Sequence, residues 1–335
     1  MSAPIQEWRF EVGEPDAGAR LDAFLSRSLS WSSRTRVKSL IAAGRIEIFA
    51  GKDPHGIRPT EVRPATRLRR GQDVVAWIDA PQVQAGESEP APTEELRVIH
   101  EDDQLVAVSK GAPMNVIPSR RHRSSSLIEL VHRRHGELGL AGFPPSPCHR
   151  LDRETTGVVL FAKELKSRAE IGRQFEERIV EKVYLALVQG CVSEDEGRLD
   201  LPLGPDPRSK IELKRAEVAL PEGQPASTRW RVRRRLAEAT LVELYPETGR
   251  QHQLRAHMAA LGHPILGDKL YLGGDDLFLA SMGRDLNESE LALVVLRRQA
   301  LHAWRLAFVH PATGRPTTLE APLPHDISAF FDGEV

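Results

Sequence analysis

Residues 148–163 read CHRLDRETTGVVLFAK, and this stretch decides the fold class. Asp152 stands between Arg150 and Arg153, and a Thr-Thr-Gly turn then leads into the apolar run Val158–Ala162. A short apolar run rich in β-branched and aromatic residues predicts a buried β-strand. Two interpretations of Asp152 stay open at this point. It either belongs to a surface ion-pair cluster, which stabilises little, or is a carboxylate kept ionised by adjacent cations and usable as a nucleophile.

Similar β-like runs recur on both sides of this strand and define the larger part of the chain, residues 96–335. They cover residues 96–99, 105–108, 157–162, 183–188, 239–244 and 305–309. Two or three helical stretches lie among them, and several strands follow one another without a helix between. The sequence therefore predicts an α+β fold with a mixed or antiparallel sheet, and disfavours a doubly wound parallel one.

A smaller unit, residues 1–80, precedes this part. Apolar residues at helical spacing from Leu21, and again from Val37 after the N-cap candidates Ser32 and Ser33, predict two helices. Strand patterns at residues 45–49 and 74–78 complete a compact ααβ unit. Residues 81–95 are rich in proline and glutamate and predict a linker between the two parts.

The charge of the chain is segregated. The whole sequence has 46 Lys+Arg against 47 Asp+Glu, yet residues 34–70 hold ten Lys/Arg and three Asp/Glu, a net of +7. Arg34 and Lys38 are four residues apart, on the face of their helix opposite Val37 and Leu40. A solvated helix face explains any single pair, but the concentration of charge favours a surface that contacts phosphates.

Composition excludes several classes of protein. A length of 335 residues fits two domains, and the two cysteines lack the spacing of a zinc site. No apolar run reaches the ~18 residues of a membrane span, so we expect a cytoplasmic protein without membrane contact. Phosphate-loop, dinucleotide and serine-hydrolase motifs are absent, and His252 and His257 have the wrong spacing for a helical metal pair. The sequence therefore predicts no cofactor and no metal.

A second dense stretch, residues 247–268, reads ETGRQHQLRAHMAALGHPILGD. Its apolar stripe predicts a helix that ends at Gly262. Arg250, His252 and Arg255 cluster at the first turns, where phosphate or carboxylate partners are expected. A capped surface helix is the simpler alternative, although its polar density is high for that.

Both stretches resemble the two signatures of the RluA-type pseudouridine synthases. KVYLALV at residues 182–188 is similar to the tyrosine motif of that family, and HAWRLAFVHP at 302–311 to its closing strand. The resemblance covers residues 96–322. Residues 19–78 resemble the S-four-like RNA-binding domain, named for a ribosomal protein and often fused in front of these enzymes.

The resemblance implies an isomerase that converts uridine to pseudouridine in RNA without a cofactor. It assigns the catalytic aspartate to Asp152, the tyrosine to Tyr184, the basic partner of the aspartate to Arg255, and the arginine that helps extrude the base to Arg150. Asp152 is then a nucleophile, with attack at the ribose or at the base left open. Arg250, His252, Arg34 and Lys38 are the further candidates for RNA contact.

Structured RNA is the implied partner, and we expect a monomer acting on ribosomal RNA. Transfer RNA is an alternative substrate, and a non-catalytic RNA-binding or ribosome-assembly factor is an alternative class. An intact Asp152, Tyr184 and Arg255 argues against the latter. A carboxylate-based glycosidase needs a second positioned acid and gains nothing from a +7 unit. Residues 275–298 are assigned no role.

Overall fold

The computed structural model describes residues 5–28, 34–50, 62–79, 96–118, 126–139 and 144–332. Its first elements are β1 (Ile5–Glu11), α1 (Leu21–Ser28), α2 (Arg34–Ala42), β2 (Ile46–Phe49) and β3 (Asp73–Asp79). The three strands form an antiparallel sheet in the order β1-β3-β2.

The predicted apolar stripes of both N-terminal helices are confirmed. Leu21, Leu25 and Val37 are fully buried and pack in one cluster with Ile46 and Ile48 of β2. Strand β1 was not predicted, because two adjacent polar residues interrupt the alternation in IQEWRFE. The proposed linker, residues 81–95, lies outside the described residues.

The larger part contains the remaining elements. They are β4 (Arg97–Glu101), β5 (Leu105–Lys110), α3 (Leu127–Glu137), β6 (Ser146–Pro147), β7 (Thr156–Ala162), α4 (Leu165–Glu176), β8 (Glu181–Gln189), β9 (Glu196–Leu199), β10 (Leu203–Pro205), β11 (Arg215–Glu217), β12 (Thr228–Arg235), β13 (Ala239–Pro246), α5 (Gln253–Ala260), α6 (Gly274–Gly283), α7 (Glu288–Val294), β14 (Leu301–Val309), β15 (Pro316–Glu320) and α8 (His325–Asp332).

One large sheet organises this part. Its main path runs β4-β5-β7-β14-β8-β13-β12-β9, with β15 paired to β14 and β6 paired to β7. Strands β7 and β14 run parallel, and the other pairs of this sheet are antiparallel. The predicted α+β class with a mixed sheet is therefore confirmed.

The strand of the opening sequence stretch lies inside the sheet. All seven residues of β7 are buried, as its continuous apolar run predicts. Helix α5 carries the second predicted stripe, with Leu254 and Met258 buried, and ends where Gly262 adopts a positive φ of 88°.

Fewer helices and strands were predicted from the sequence than the structure contains. Six helices lie in the described residues after 96, where two or three were expected, and two of them, α6 and α7, belong to the unassigned segment 275–298. Strand β12 was missed because its sequence, TRWRVRRR, is dominated by arginine. Its inward residues Trp230 and Val232 still alternate with exposed arginines.

None of the helices in the described ranges combines the length and the apolar character that crossing a bilayer requires.

Candidate active site

Strand register brings the first sequence signature and the tyrosine motif to one place. Ala303 of β14 pairs with Gly157 of β7 on one side and with Tyr184 of β8 on the other. Neighbouring strands are about 4.8 Å apart, so Tyr184 lies roughly 10 Å from Gly157 across the sheet. Only glycine fits at position 157: its φ is 120°, and a Cβ there would come within 2.2 Å of the Ala303 carbonyl oxygen.

Asp152 lies on the loop that enters β7, residues Arg150–Thr155, called here the Asp152 loop. The N–H of Thr155 donates to the Asp152 carbonyl at 3.1 Å, which closes a turn. Two further bonds hold this turn against the rest of the domain. Lys269 Nζ donates to the Glu154 carboxylate at 2.6 Å, and Gln299 donates to the Thr155 hydroxyl at 2.5 Å.

A buried lysine also holds the Asp152 loop. The side chain of Lys110 is 1% exposed, and its ammonium donates to the carbonyls of Gly111 and Met114 at 2.8 Å and of Arg153 at 3.1 Å. Three carbonyl acceptors satisfy the three donors of an ammonium, which a buried cation requires. Lys110 therefore fixes the backbone directly after Asp152.

The side chain of Asp152 meets Arg255. The Arg255 Nη1 atom is 3.1 Å from Asp152 Oδ2, while its Nε and Nη2 atoms donate to the two oxygens of Asp268 at 2.6 and 2.8 Å. Asp268 is fully buried, whereas 36% of the Asp152 side chain is exposed. One guanidinium thus bridges an internal carboxylate and a carboxylate that a substrate can reach.

The charges of this group stabilise one another. Burial lowers the pKa of Arg255, but the carboxylates of Asp268 and Asp152 outweigh it, so the pKa lies above its usual value. Burial likewise raises the pKa of Asp268, but Arg255 and the N–H groups of Tyr271 and Leu270 hold it below its usual value. Arg255 and Asp268 are therefore both ionised at neutral pH.

Tyr184 lies near enough to Asp152 for its phenol to respond to that charge. Burial raises the pKa of its phenol, and the negative charge of Asp152 raises it further. The hydroxyl has no hydrogen-bond partner among the residues that the structure describes. Tyr184 is therefore a neutral phenol near the Asp152 carboxylate, and its partly buried ring packs against the hydrophobic core.

His252 and Tyr271 complete the wall next to Arg255. The centre of the Arg255 guanidinium lies 5.0 Å from the centre of the Tyr271 ring, and the His252 ring lies edge-on to that ring at 5.8 Å. His252 Nδ1 is 3.2 Å from the Tyr271 hydroxyl. Three of the predicted site residues, Asp152, Arg255 and His252, therefore lie in one cluster, with Tyr184 close enough to feel the charge of Asp152.

The remaining predicted residues lie elsewhere. Arg150 is exposed and makes no ion pair or hydrogen bond within the described ranges, and Arg250 is exposed, with its Nε donating to the carbonyl of Pro225 at 3.0 Å. Lys38 is exposed on α2, as expected. The backbone of Arg34 is helical, but its side chain lies outside the described residues.

Asp268, Tyr271 and Lys110 were not predicted as site residues. Asp268 ends the second quoted stretch and Tyr271 follows three residues later, so proximity in sequence to Arg255 was the available signal. Nothing in the local pattern shows that Asp268 turns inward. Lys110 was hidden for another reason, since a lysine is seldom fully buried.

His252 and His257, the two histidines weighed as a metal pair in the sequence, have different hydrogen-bond partners in the structure. His257 contacts the hydroxyl of Thr228 and the carbonyl of Leu201, whereas His252 contacts Tyr271. A different trio, His100, Asp102 and His310, brings its donor atoms within 4.8 Å of one another.

Hydrogen bonding explains that trio without a metal. The Nε2 atoms of His100 and His310 are 2.7 and 2.9 Å from the same oxygen of Asp102. His310 Nδ1 accepts the N–H of Ala312 at 3.2 Å, so the proton of a neutral His310 is on Nε2 and is donated to Asp102. Both short contacts of the trio are therefore hydrogen bonds to one oxygen of Asp102.

Comparison with known proteins identifies the family of the chain. A family model described as RNA pseudouridylate synthase matches residues 104–260, which include Asp152, Tyr184 and Arg255. "Ribosomal large subunit pseudouridine synthase D" of Xanthomonas campestris is 33% identical over 98% of this chain and 94% of its own length. The protein of the same name from Nitrosomonas europaea is 32% identical over 96% of this chain and 86% of its own.

A solved structure has the same architecture. "Human RNA Pseudouridylate Synthase Domain Containing 4" is similar with a TM-score of 0.55 and 27% identity, over 69% of this chain and 89% of that one. The relatives match nearly the whole chain, and the family model includes the residues that the sheet brings together. The chain therefore belongs to the RNA pseudouridylate synthase family and is an isomerase.

Proposed function

We propose that this protein isomerises specific uridines in the RNA of the large ribosomal subunit, with Asp152 as the nucleophile. The observation that carries the proposal is the Arg255 guanidinium, which holds a reachable Asp152 carboxylate from a buried position fixed by Asp268. The choice of RNA is supported by the relatives that are named ribosomal large subunit pseudouridine synthase D.

The isomerisation requires an anionic nucleophile and no redox reagent. The bond between the ribose and N1 of uracil breaks, the base rotates, and a new bond forms from the ribose to carbon 5, which loses its proton while N1 gains one. A carboxylate that adds covalently to the ribose or the base and later leaves serves this sequence without redox change. Arg255 keeps Asp152 oriented and supplies positive charge where electron density shifts.

Tyr184 fits two tasks beside this carboxylate. Its ring packs against the face of the uracil, since base stacking on aromatic side chains is a general mode of RNA recognition. Its raised pKa disfavours a phenolate. The neutral hydroxyl therefore assists proton movement at carbon 5 as a relay, which gives its own proton to the freed carboxylate of Asp152 as it takes the proton that carbon 5 releases.

A uridine inside folded RNA must leave its stack before it reaches Asp152, which costs a few kcal/mol. Arg150 is suited to offset this cost because it is exposed, lies two residues from Asp152 and makes no ion pair within the described ranges. We assign it to the space that the base vacates, and we assign Arg250 and His252 to contacts with the RNA around the site.

The N-terminal unit serves as a second point of attachment. Residues 34–70 carry a net charge of +7, and Lys38 is exposed on α2. We propose that Arg34 and Lys38 of this S-four-like domain contact phosphates of a large structured RNA, joined to the catalytic domain by residues 81–95. Asp152, Tyr184 and Arg255 come from one chain, as a monomeric enzyme requires, and a ribosomal target places the protein in the cytoplasm.

Mapping pseudouridines in total RNA tests the proposal. Cells that lack the protein should lose pseudouridine at one or a few positions of large-subunit ribosomal RNA, and re-expression of the wild-type chain should restore them. Loss confined to transfer RNA would move the substrate to that class. An unchanged map in all RNA would refute the proposed function.

A further inference from the structure

His252 has a backbone conformation that is uncommon for a residue other than glycine. Its φ and ψ are 55° and 17°, in the left-handed region, directly before the first residue of α5. This conformation sets the imidazole beside the Tyr271 ring, which the Arg255 guanidinium also contacts. Backbone strain of this kind concentrates at functional sites, where surrounding structure holds a side chain in one place.

Tyr271 determines which nitrogen of His252 carries the proton. The Tyr271 hydroxyl accepts the N–H of Arg215 at 2.9 Å and lies 3.2 Å from His252 Nδ1. If the hydroxyl donates to Nδ1, the Arg215 N–H, the Tyr271 hydroxyl and His252 Nδ1 all have hydrogen-bond partners. A neutral imidazole then has its proton on Nε2. If Nδ1 donated instead, the phenolic hydrogen would have no acceptor among the described residues.

The imidazole is neutral under the conditions in which an enzyme works. Burial, and then the positive charge of Arg255, lower the pKa of His252 to about 4. Asp152, Asp268 and Arg215 are the other charged groups that act on it, and the two carboxylates do not reverse the shift. His252 therefore presents a single uncharged N–H donor at Nε2, for which no partner exists among the described residues.

We propose that His252 is a specificity-determining residue whose Nε2–H donates to the oxygen on carbon 4 of the flipped-out uracil, with Tyr271 as the positioning residue that holds this tautomer. Cytosine has an amino group at that position, so a donor would face a donor and both would lose their hydrogen bonds on burial. The inference rests on the proposed function, because it requires a base to lie beside Asp152.

The test compares two RNAs. A fragment of large-subunit ribosomal RNA that the wild-type enzyme modifies is made with uridine or with cytidine at the target position. Binding of the uridine form is obtained as the enzyme concentration that half-saturates the single-turnover rate, and binding of the cytidine form from its inhibition constant. The ratio of the two constants is the selectivity, and the cost of flipping cancels when variants are compared.

The two substitutions should have different signatures. His252→Ala should weaken binding of the uridine form by about 10-fold and strengthen binding of the cytidine form, because the donor that faces the cytosine amino group is removed. Tyr271→Phe removes the hydroxyl that donates to His252 Nδ1, so the imidazole proton can move to Nδ1 and Nε2 can accept a hydrogen bond from cytosine. The cytidine form should therefore bind about 10-fold better, while binding of the uridine form changes less than threefold. Tyr245→Phe removes a hydroxyl that bonds to Glu243 and serves as the matched control, with unchanged selectivity.

Selectivity within twofold of wild type in both variants would overturn the inference while pseudouridine formation still upheld the proposed function. A wild-type enzyme that forms no pseudouridine in any large-subunit RNA would overturn the proposed function itself. Folding of each variant is checked by its melting curve, and a loss of stability alone does not change the ratio between two RNAs.

Discussion

Asp268 binds the Arg255 guanidinium through two parallel hydrogen bonds, of 2.6 and 2.8 Å, and leaves the third side of that group to Asp152. A planar guanidinium held at two nitrogens cannot rotate, so the position of Asp268 determines where the nitrogen nearest Asp152 lies. The neighbouring residue Lys269 bonds to Glu154 of the Asp152 loop. Two consecutive residues therefore align the candidate nucleophile, Asp268 through Arg255 and Lys269 through the Glu154 carboxylate of the loop.

Asp268→Asn should impair both catalysis and folding. The amide can still accept the N–H bonds of Leu270 and Tyr271, but it no longer matches the charge of Arg255. We expect a fall in kcat of about 100-fold from misplacement of Arg255. The free energy of unfolding should fall by about 3 kcal/mol, because a buried cation loses its partner.

Asp275→Asn is the matched control for that variant, since Asp275 pairs with Lys214 at 2.8 Å outside the site. It should leave kcat unchanged. A wild-type rate of pseudouridine formation by Asp268→Asn in single-turnover assays would show that catalysis does not depend on the alignment of Arg255 by Asp268.

Tyr184→Phe should separate the two tasks proposed for this residue. The ring remains, so the affinity for RNA should stay within about threefold of wild type, whereas loss of the hydroxyl should lower kcat by 10²- to 10⁴-fold, as for other groups that move protons. Measuring kcat and the binding constant on the same RNA distinguishes the role of the ring from that of the hydroxyl. A variant with unchanged kcat would restrict Tyr184 to packing.

Stability should fall as the solution is acidified below neutrality. Burial lowers the pKa of His302 to about 4, from about 6.5 in an unfolded chain, so the unfolded state takes up a proton first. The stabilisation is complete above pH 6.5 and is lost as the pH falls towards 4, by about 3 kcal/mol for this group.

His302→Asn checks this in denaturant unfolding at several pH values. The variant should lose less stability between pH 6.5 and 4 than the wild type does. His325→Asn, an exposed position, should follow the wild-type curve. Equal pH dependence for all three proteins would contradict the assignment.

The sheet class and the inner strand β7 could be predicted from the sequence because those signals are local. The run TGVVLFA is continuous and apolar, and burial of all seven residues follows directly. Strand β12 shows the opposite case, because only tertiary pairing with β13 and β9 makes TRWRVRRR a strand. The helices of segment 275–298 were also missed, although Asn287 and Glu290 form a capping box at the start of α7, which is a local signal.

The candidate site likewise contains residues that local motifs identify and residues that only the tertiary structure identifies. Asp152, Tyr184 and Arg255 were found through long motifs, but their relation through Ala303 of β14 is a matter of strand order, which spacing cannot show. Asp268 was missed because its importance comes from full burial against Arg255. A carboxylate in a Gly-Asp turn ordinarily indicates no more than a turn.

Arg34 and Lys38 should contribute to RNA affinity through charge alone. Replacing both by glutamine should weaken binding and reduce the slope of log Kd against log salt by up to about 2, because two phosphate contacts release fewer counterions. The kcat on saturating RNA should not change. Arg208→Gln with Lys210→Gln, two exposed cations of the larger part, is the control, and an equal loss in both double variants would remove the special role of α2.

The most direct test of the central claim is a single-turnover measurement of pseudouridine formation by Asp152→Asn. Asparagine keeps the shape of the side chain but cannot act as the anionic nucleophile. We predict no product above background, RNA affinity within about threefold of wild type, and normal turnover by the control Asp103→Asn, an exposed aspartate. Pseudouridine formation by Asp152→Asn at a rate within tenfold of wild type would contradict the account.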